Sequence, residues 1–277
     1  MDTSQRPEQK AATAARIYDY YIGGTHNFPA DRAAADGVIK QVPLIRPAAR
    51  ANRAFLGRAV RFAAESGIRQ FLDIGSGIPT EGNVHEVAQS VEPTARVVYV
   101  DIDPVAVSEG LDILDANAYA TSIRGNVLDT PAILSHSSVL ELLDFSQPVA
   151  VILCALLHFV TDDEAAHAAV GSLRSASAPG SYLILSHGTV PDADVAVEER
   201  EKFAADDKMM QGVYATKTTT PVRMRQRVGV EVFFDGYDLV EPGLAWVGDW
   251  RPDGNQPDEF GGNARLASIL GGVGVRR

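Results

Sequence analysis

The sequence predicts a doubly wound α/β fold, a mostly parallel sheet with helices on both faces. Four short, nearly continuous apolar runs alternate with helical stretches, at residues 70–74, 96–100, 149–153 and 181–185. Strands buried on both faces have this composition. A glycine-containing turn follows the first run directly, and ligands bind at such strand ends in open parallel sheets.

The chain before the first strand is predicted to be helical. Over residues 11–21, apolar side chains recur at i, i+3, i+4 and i+7, which places them on one helical face. A second Ala-rich helix is predicted over residues 46–66, and glycines follow both helices. We therefore divide the chain into a helical extension, residues 1–67, and an α/β core, residues 68–277.

The last part of the predicted α/β core does not continue the alternation of strands and helices. Residues 188–235 are charged and helical in pattern, which predicts an insertion at the position of a crossover. Two further β-like runs follow, at residues 239–247 and 264–269. Consecutive strands late in an α/β chain predict an antiparallel pair at one edge of the sheet.

Composition excludes several classes of protein. The formal net charge is −11, which disfavours nucleic acid as a partner. The longest apolar run, residues 149–157, is far shorter than the roughly 20 residues of a membrane span. The N-terminus has no secretory pattern and Cys154 is the single cysteine, which together favour a cytoplasmic location. The pair His85-Glu86 lacks the second histidine of a zinc motif, so we expect no metal and an exposed helix pair.

The turn after the first strand carries the clearest chemical signal. Asp73 is followed by Gly75 and Gly77, and a helix is predicted to begin near Asn83. Glycines allow a ligand to approach the backbone closely, and a helix N-terminus adds amide donors. The second strand ends in Asp101, 26 residues after Gly75, near the place where a carboxylate binds ribose hydroxyls.

Three kinds of ligand compete for this turn. A dinucleotide fingerprint needs a third glycine, where this chain has Thr80, and Asp73 would repel a pyrophosphate. A P-loop needs a lysine and a hydroxyl residue, where this chain has Asn83 and Val84. A cofactor with a ribose and an ammonium group but no phosphate satisfies both acids. S-adenosyl-L-methionine has these parts.

At this point the sequence resembles the class I S-adenosylmethionine-dependent methyltransferases, and more closely an actinobacterial family of S-adenosyl methyltransferases. The matching stretches reach from the N-terminus to about Pro252. The Asp-x-Gly-x-Gly motif alone is weakly specific, whereas the ordered set of stretches is more specific. These stretches are residues 15–24, 27–32, 48–56, 71–89, 97–104, 157–159 and 241–243.

The resemblance implies a Rossmann-like sheet of seven strands, the last one antiparallel, with the cofactor over Gly75 and Gly77. It also implies cofactor contacts from Ile102 and from Asn126 and Val127 after the third strand. In many members of the class an acid stands at the place of Asn126. An amide oxygen accepts the same hydrogen bond, and the nearby Asp129 is the alternative.

The methyl-acceptor side has weaker signals. His158 follows the fourth strand and is a candidate for placing the acceptor or removing its proton, the alternative being a hydrogen-bonded buried imidazole. Helices roof the active site in many class I enzymes, so Tyr18, Tyr21, Asn27 and Phe28 are candidate acceptor-binding residues. Packing of an amphipathic helix on the sheet explains the tyrosines equally well.

Three functions remain open. The favoured one is in-line methyl transfer from S-adenosyl-L-methionine to a small-molecule acceptor. The second is a non-catalytic regulator that binds S-adenosylmethionine or S-adenosylhomocysteine on the same scaffold, because fold alone does not guarantee activity. The third, a nicotinamide oxidoreductase, is disfavoured by Asp73 and Thr80.

Overall fold

Three helices precede the sheet. The computed structural model describes residues 11–79, 82–190, 208, 212, 220–254 and 257–277. Helix α1 spans Ala14–Ile22, α2 spans Pro29–Gln41 and α3 spans Ile45–Glu65. Helix α2 begins at a proline, whose missing N–H is no loss at a helix start.

The remaining elements alternate between strand and helix as far as β5. Each helix between β1 and β5 connects two parallel strands. In order they are β1 Gln70–Ile74, α4 Val84–Val91, β2 Arg96–Asp101, α5 Pro104–Leu114, β3 Ala120–Arg124, α6 Thr130–Leu134, α7 Ser137–Leu142, β4 Ala150–Cys154, α8 Asp163–Ala176, β5 Tyr182–Gly188, α9 Arg227–Glu231, β6 Tyr237–Leu239, β7 Ala245–Trp246 and β8 Ile269–Arg276.

The strands form one sheet in the order β3-β2-β1-β4-β5-β8-β6, with the short β7 also paired to β8. Strands β1 to β5 are parallel to one another, and β8 is antiparallel to β5, β6 and β7. The chain reverses its direction of winding between β1 and β4. Ligands bind in the crevice outside the strand ends at such a switch point.

Both faces of the sheet are buried, which explains why the strands read as continuous apolar runs. Along β1, Phe71 packs into a core cluster that includes α3. Its neighbours Leu72 and Ile74 pack into the cluster on the opposite face, with α8. Trp250, which is fully buried, contacts Phe55 of α3 edge to face. Helix α3 is therefore an integral part of one layer of the core.

The predicted α/β class and its mostly parallel sheet are confirmed, with eight strands in the described part of the chain where seven were expected. The predicted strand over residues 264–269 is wrong, since Ala264–Ala267 is a 3₁₀ turn and β8 begins after it. The run 239–247 is two short strands, not one. Helix α2 and strand β3 were absent from the predicted elements.

Most of the expected insertion over residues 188–235 lies outside the described residues. Within it, Gly188 ends β5 and Arg227–Glu231 forms α9. The division of the chain at residue 67 stays a prediction. Among the described helices, none is long and apolar enough to cross a membrane.

Candidate active site

A cavity of about 1070 Å³ lies at the carboxyl ends of β1, β2 and β4. Its floor is made by the loops after these strands. Its roof is made by α1 and α3 of the N-terminal extension, and residues from the segment 220–224 complete one side. The N-terminal helices thus take part in the cavity that the sheet topology places at this edge.

Asp73 places a buried carboxylate in the cavity wall. It belongs to β1 and is 4% exposed. Burial raises its pKa to about 7, with the guanidinium of Arg53 lowering the pKa and the carboxylate of Asp101 raising it. No hydrogen-bond donor among the described residues contacts this carboxylate. A desolvated carboxylate without such a donor is suited to a cationic ligand.

The glycine turn fits closely under the cavity. Gly75 has a φ of +73° and Gly77 a φ of +63°, conformations that side-chain-bearing residues rarely adopt. A Cβ added to Gly75 would lie 2.5 Å from Cδ1 of Leu156. The Gly75 backbone N–H donates to the carbonyl of Val100 (2.8 Å), which anchors the turn to β2. The backbone angle therefore favours glycine at position 75, and a side chain there would also require Leu156 to move.

Asp101, at the end of β2, is held by two backbone donors. Its Oδ2 accepts from the N–H of Gly77 and its Oδ1 from the N–H of Asp103, both at 2.8 Å. Burial raises its pKa, while these hydrogen bonds lower it. A carboxylate offers about four acceptor sites, so capacity remains for hydroxyl donors in the cavity. Ile102 follows in the wall and is 58% exposed.

The loop after β3 supplies a second side of this region. Asn126 and Val127 line the cavity, and Oδ1 of Asn126 accepts from the N–H of Leu128 at 3.0 Å. Leu128 also lines the cavity and is 54% exposed. Sequence reasoning missed Leu128, because only the structure shows that this apolar side chain is exposed at the cavity. Asp129 caps α6 and is not among the residues that line the cavity, so its position does not support it as the alternative contact.

His158 lines the far side of the cavity, in a 3₁₀ turn that follows β4. Burial, with smaller effects from His187 and Arg225, lowers the pKa of its imidazole well below the usual value. Its Nδ1 is buried, and no described group forms a hydrogen bond to it. The ring is therefore neutral near pH 7, with proton-accepting capacity available.

The turn that carries His158 is held in place by residues that the sequence analysis does not predict. Arg225 is buried and donates to the carbonyls of Leu157 (2.9 Å) and Val160 (2.8 Å), on either side of His158. Its Nη1 also lies 2.9 Å from Nε2 of His187. These bonds fix the position of the turn. The sequence shows Arg225 only as one of three alternating arginines and does not mark it as buried.

Tyr18 and Tyr21 of α1 line the cavity, as expected for roof residues. The Tyr18 hydroxyl donates to the carbonyl of Ala49 (2.9 Å) and accepts from Nδ2 of Asn52 (3.0 Å). Asn52 in turn accepts from the Ser186 hydroxyl (2.6 Å), which joins the roof to β5. Asn52 belongs to the stretch 48–56, which resembles the family. In the structure it connects Tyr18 to Ser186.

Asn27 and Phe28 are not part of the cavity wall, which corrects their expected place. Asn27 donates from Nδ2 to Oδ2 of Asp19 (2.8 Å), so its amide holds the α1–α2 connection. The ring of Phe28 lies under the guanidinium of Arg16, 5.3 Å from the ring centroid. Both residues organise the roof from outside the cavity.

The expectation of an exposed His85-Glu86 pair holds for Glu86, which is exposed, and is wrong for His85. His85 is buried, and its Nδ1 lies 2.7 Å from the Tyr99 hydroxyl. Glu86 accepts from the N–H of Asn83 in a capping box at the start of α4. Arg53 donates to Oδ1 of the same Asn83 (2.8 Å), so this helix start is tied to α3.

These features define an α/β protein of the methyltransferase type, with two strand-end acids at a glycine turn and a wide cavity beside them. The chain belongs to the S-adenosyl methyltransferase family, whose model matches residues 2–277. The cofactor of this family is S-adenosyl-L-methionine.

Two solved structures are similar over nearly the whole chain. One is a candidate methyltransferase from Thermobifida fusca, 37% identical with a TM-score of 0.86, covering 98% of this chain and 97% of that chain. The other is a DUF574 family protein from Streptomyces avermitilis, also 37% identical, with a TM-score of 0.88, covering 98% of this chain and 100% of that chain. No curated protein matches the chain.

Proposed function

We propose that the protein catalyses in-line transfer of the methyl group of S-adenosyl-L-methionine to a small-molecule acceptor. The observation that carries the proposal is one cavity that joins the strand-end acids to His158 beneath the helical roof. Ligand cavities have typical volumes of about 300–1,000 Å³. At about 1070 Å³ this cavity has room for a cofactor and an acceptor side by side, which favours an enzyme over a binding-only regulator.

The described residues fit the parts of this cofactor. The Asp73 carboxylate, buried without a described hydrogen-bond donor, is suited to the ammonium group, and Asp101 to the ribose hydroxyls. The exposed apolar side chains of Ile102 and Leu128 are suited to the two faces of adenine, beside the backbone of Val127. Bound there, S-adenosyl-L-methionine supplies a methyl group made electrophilic by its sulfonium.

The chain's own residues would act mainly by positioning. Holding two reactants in the correct geometry supplies several kcal/mol of rate enhancement. We assign to His158 the orientation of the acceptor and the uptake of its proton, because its neutral imidazole lies in the wall. Tyr18 and Tyr21 would cover the acceptor and exclude water.

The far wall suggests the kind of acceptor. Around His158 it is mostly apolar in the described residues, with Leu156, Phe159, Val222 and Met224 among its members. A charged molecule buried there would need a compensating charge. We therefore infer an uncharged, partly apolar metabolite. The net charge of −11 argues against nucleic acid as the methyl acceptor. The cytoplasmic location stays a prediction.

Calorimetric titration of the purified protein with S-adenosylmethionine, S-adenosylhomocysteine and NADH tests the proposal. We expect micromolar binding of both adenosyl ligands, lost in Asp73→Ala and Asp101→Ala, and no binding of NADH. Absence of adenosyl binding would remove the proposed reaction. Binding of the adenosyl ligands without methyl transfer to any acceptor in a broad metabolite panel would favour the regulator.

A further inference from the structure

A buried ion cluster joins the N-terminal helices to the loop that carries Asp101. The Arg16 guanidinium in α1 lies between two carboxylates, with Nε 2.9 Å from Oδ2 of Asp31 and Nη1 2.7 Å from Oδ2 of Asp103. All three side chains are at most 5% exposed. Asp31 belongs to α2 and Asp103 precedes α5, so one arginine connects three elements.

Thr13 reinforces the same link. Its hydroxyl donates to Oδ2 of Asp103 (2.6 Å), and its backbone N–H donates to Oδ1 of Asp31 (3.1 Å). The other carboxylate oxygen of Asp103 caps α5 by accepting from the N–H of Val105 (2.9 Å). The Asp103 side chain is thus held on one side by α1 and on the other by α5.

The cluster continues to the proposed ribose contact. The Asp103 N–H donates to Oδ1 of Asp101, and Oδ2 of Asp101 accepts from the N–H of Gly77. Thr13, Asp101 and Asp103 all line the cavity. The orientation of the Asp101 carboxylate therefore depends on the position of Asp103, which α1 fixes.

We propose that Arg16 and Thr13 are positioning residues for the cofactor: through Asp103 they hold the Asp101 carboxylate in place, so that docking of α1 and cofactor binding favour each other. The inference rests on the proposed function, since it takes Asp101 as the ribose contact. Coupling of this kind is reciprocal. The cofactor stabilises the docked helix by the same factor by which the docked helix strengthens cofactor binding.

Buried charge contributes to the proposed coupling between docking of α1 and cofactor binding. Without the guanidinium of Arg16, the Asp31 and Asp103 carboxylates would be buried with no positive partner among the contacts described, which is costly. Asp103 also acts on Asp101 electrostatically: burial raises the pKa of Asp101, the Asp103 N–H lowers it, and the Asp103 charge raises it by less. Undocking of α1 would take the Arg16 guanidinium away from both carboxylates and release the loop of Asp101.

The test uses S-adenosylhomocysteine as the probe and two mild variants. Thr13→Val removes one hydrogen bond to Asp103 at nearly constant volume, and Arg16→Lys keeps the charge but loses the forked geometry. Arg46→Ala is the matched control. The Arg46 guanidinium lies 5.4 Å from the ring centroid of Tyr20 and donates to the carbonyl of Tyr21 (3.3 Å), so it holds α1 without touching Asp103.

Calorimetry should show S-adenosylhomocysteine affinity weakened about fivefold or more in Thr13→Val and in Arg16→Lys, and unchanged within about twofold in Arg46→Ala. In hydrogen exchange, the ligand should slow exchange over residues 14–22 in the wild type and in Arg46→Ala, and less so in Thr13→Val. The first result measures the contribution of the link to binding, and the second measures its reciprocal effect on the helix.

Two results would overturn the inference while the proposed function stands. One is wild-type affinity in Thr13→Val and Arg16→Lys. The other is equal weakening in Arg46→Ala, which would indicate general loosening of α1. Failure of the wild-type protein to bind the probe would instead overturn both the inference and the proposed function.

Discussion

Asp73 has opposite effects on folding and on cofactor binding, and Asp73→Asn separates the two. Burial raises the pKa of this carboxyl from 3.8 to about 7. The folded protein therefore binds a proton more tightly than the unfolded chain, and its stability falls as pH rises from about 4 to about 7. At 1.36 kcal/mol per pKa unit, the ionised carboxylate destabilises the fold without cofactor by about 4 kcal/mol above pH 7.

Asparagine removes this charge but leaves a buried amide, whose unmet hydrogen bonds cost about 1–3 kcal/mol. We expect Asp73→Asn to stabilise the protein at pH 8 by about 2 kcal/mol, which raises Tm by about 4 °C in a chain of this size. The difference should shrink as pH falls towards 5. The same variant should bind S-adenosylmethionine at least tenfold more weakly, because the ammonium loses its counter-charge.

Thermal unfolding followed by circular dichroism at pH 5 and pH 8, without ligand, measures this prediction. Asp31→Asn is the control, since Asp31 is equally buried but paired with Arg16. Loss of the Asp31 charge, and with it the ion pair to Arg16, should destabilise the protein by about 3 kcal/mol. A lower Tm for Asp73→Asn at pH 8, or a difference independent of pH, would refute the reasoning.

Three further predictions follow from the same geometry. His158→Ala should slow methyl transfer by about a hundredfold with S-adenosylmethionine affinity unchanged in calorimetry, and an equal loss of cofactor binding would contradict its assignment to the acceptor side. Gly75→Ala should abolish cofactor binding and lower Tm, because of its positive φ and the contact with Leu156; Gly57→Ala, where an added Cβ meets nothing within 4 Å, is the control. Wild-type affinity for S-adenosylhomocysteine should fall up to about tenfold per pH unit below pH 7, since Asp73 must be ionised to bind the ammonium; a flat profile in calorimetry between pH 5 and pH 8 would exclude that role.

The sheet was predictable where burial on both faces gave a continuous apolar run. This holds for β1 and β4, whose residues fill both core clusters. Strand β3 is not predicted from the sequence, because it lies at the sheet edge and its residues, Ala-Thr-Ser-Ile-Arg, do not form an apolar run. The turn at Ala264–Ala267 was read as strand because a short apolar run fits either structure.

The candidate site divides in the same way. Asp73, Gly75, Gly77 and Asp101 are close in sequence to strand ends, and topology alone brings them to one edge. Contacts between segments that are distant in sequence have no comparable sequence pattern that predicts them. The pair of Arg16 and Asp103, 87 residues apart, depends on how α1 packs, which no local pattern records.

The most direct test of the central claim is a crystal structure of the protein with S-adenosylhomocysteine. We predict that its amino group lies at the Asp73 carboxylate, its ribose hydroxyls at Asp101 and its adenine between Ile102 and Leu128, with its sulfur towards His158. A ligand bound elsewhere, or bound with its ribose away from Asp101, would contradict the account.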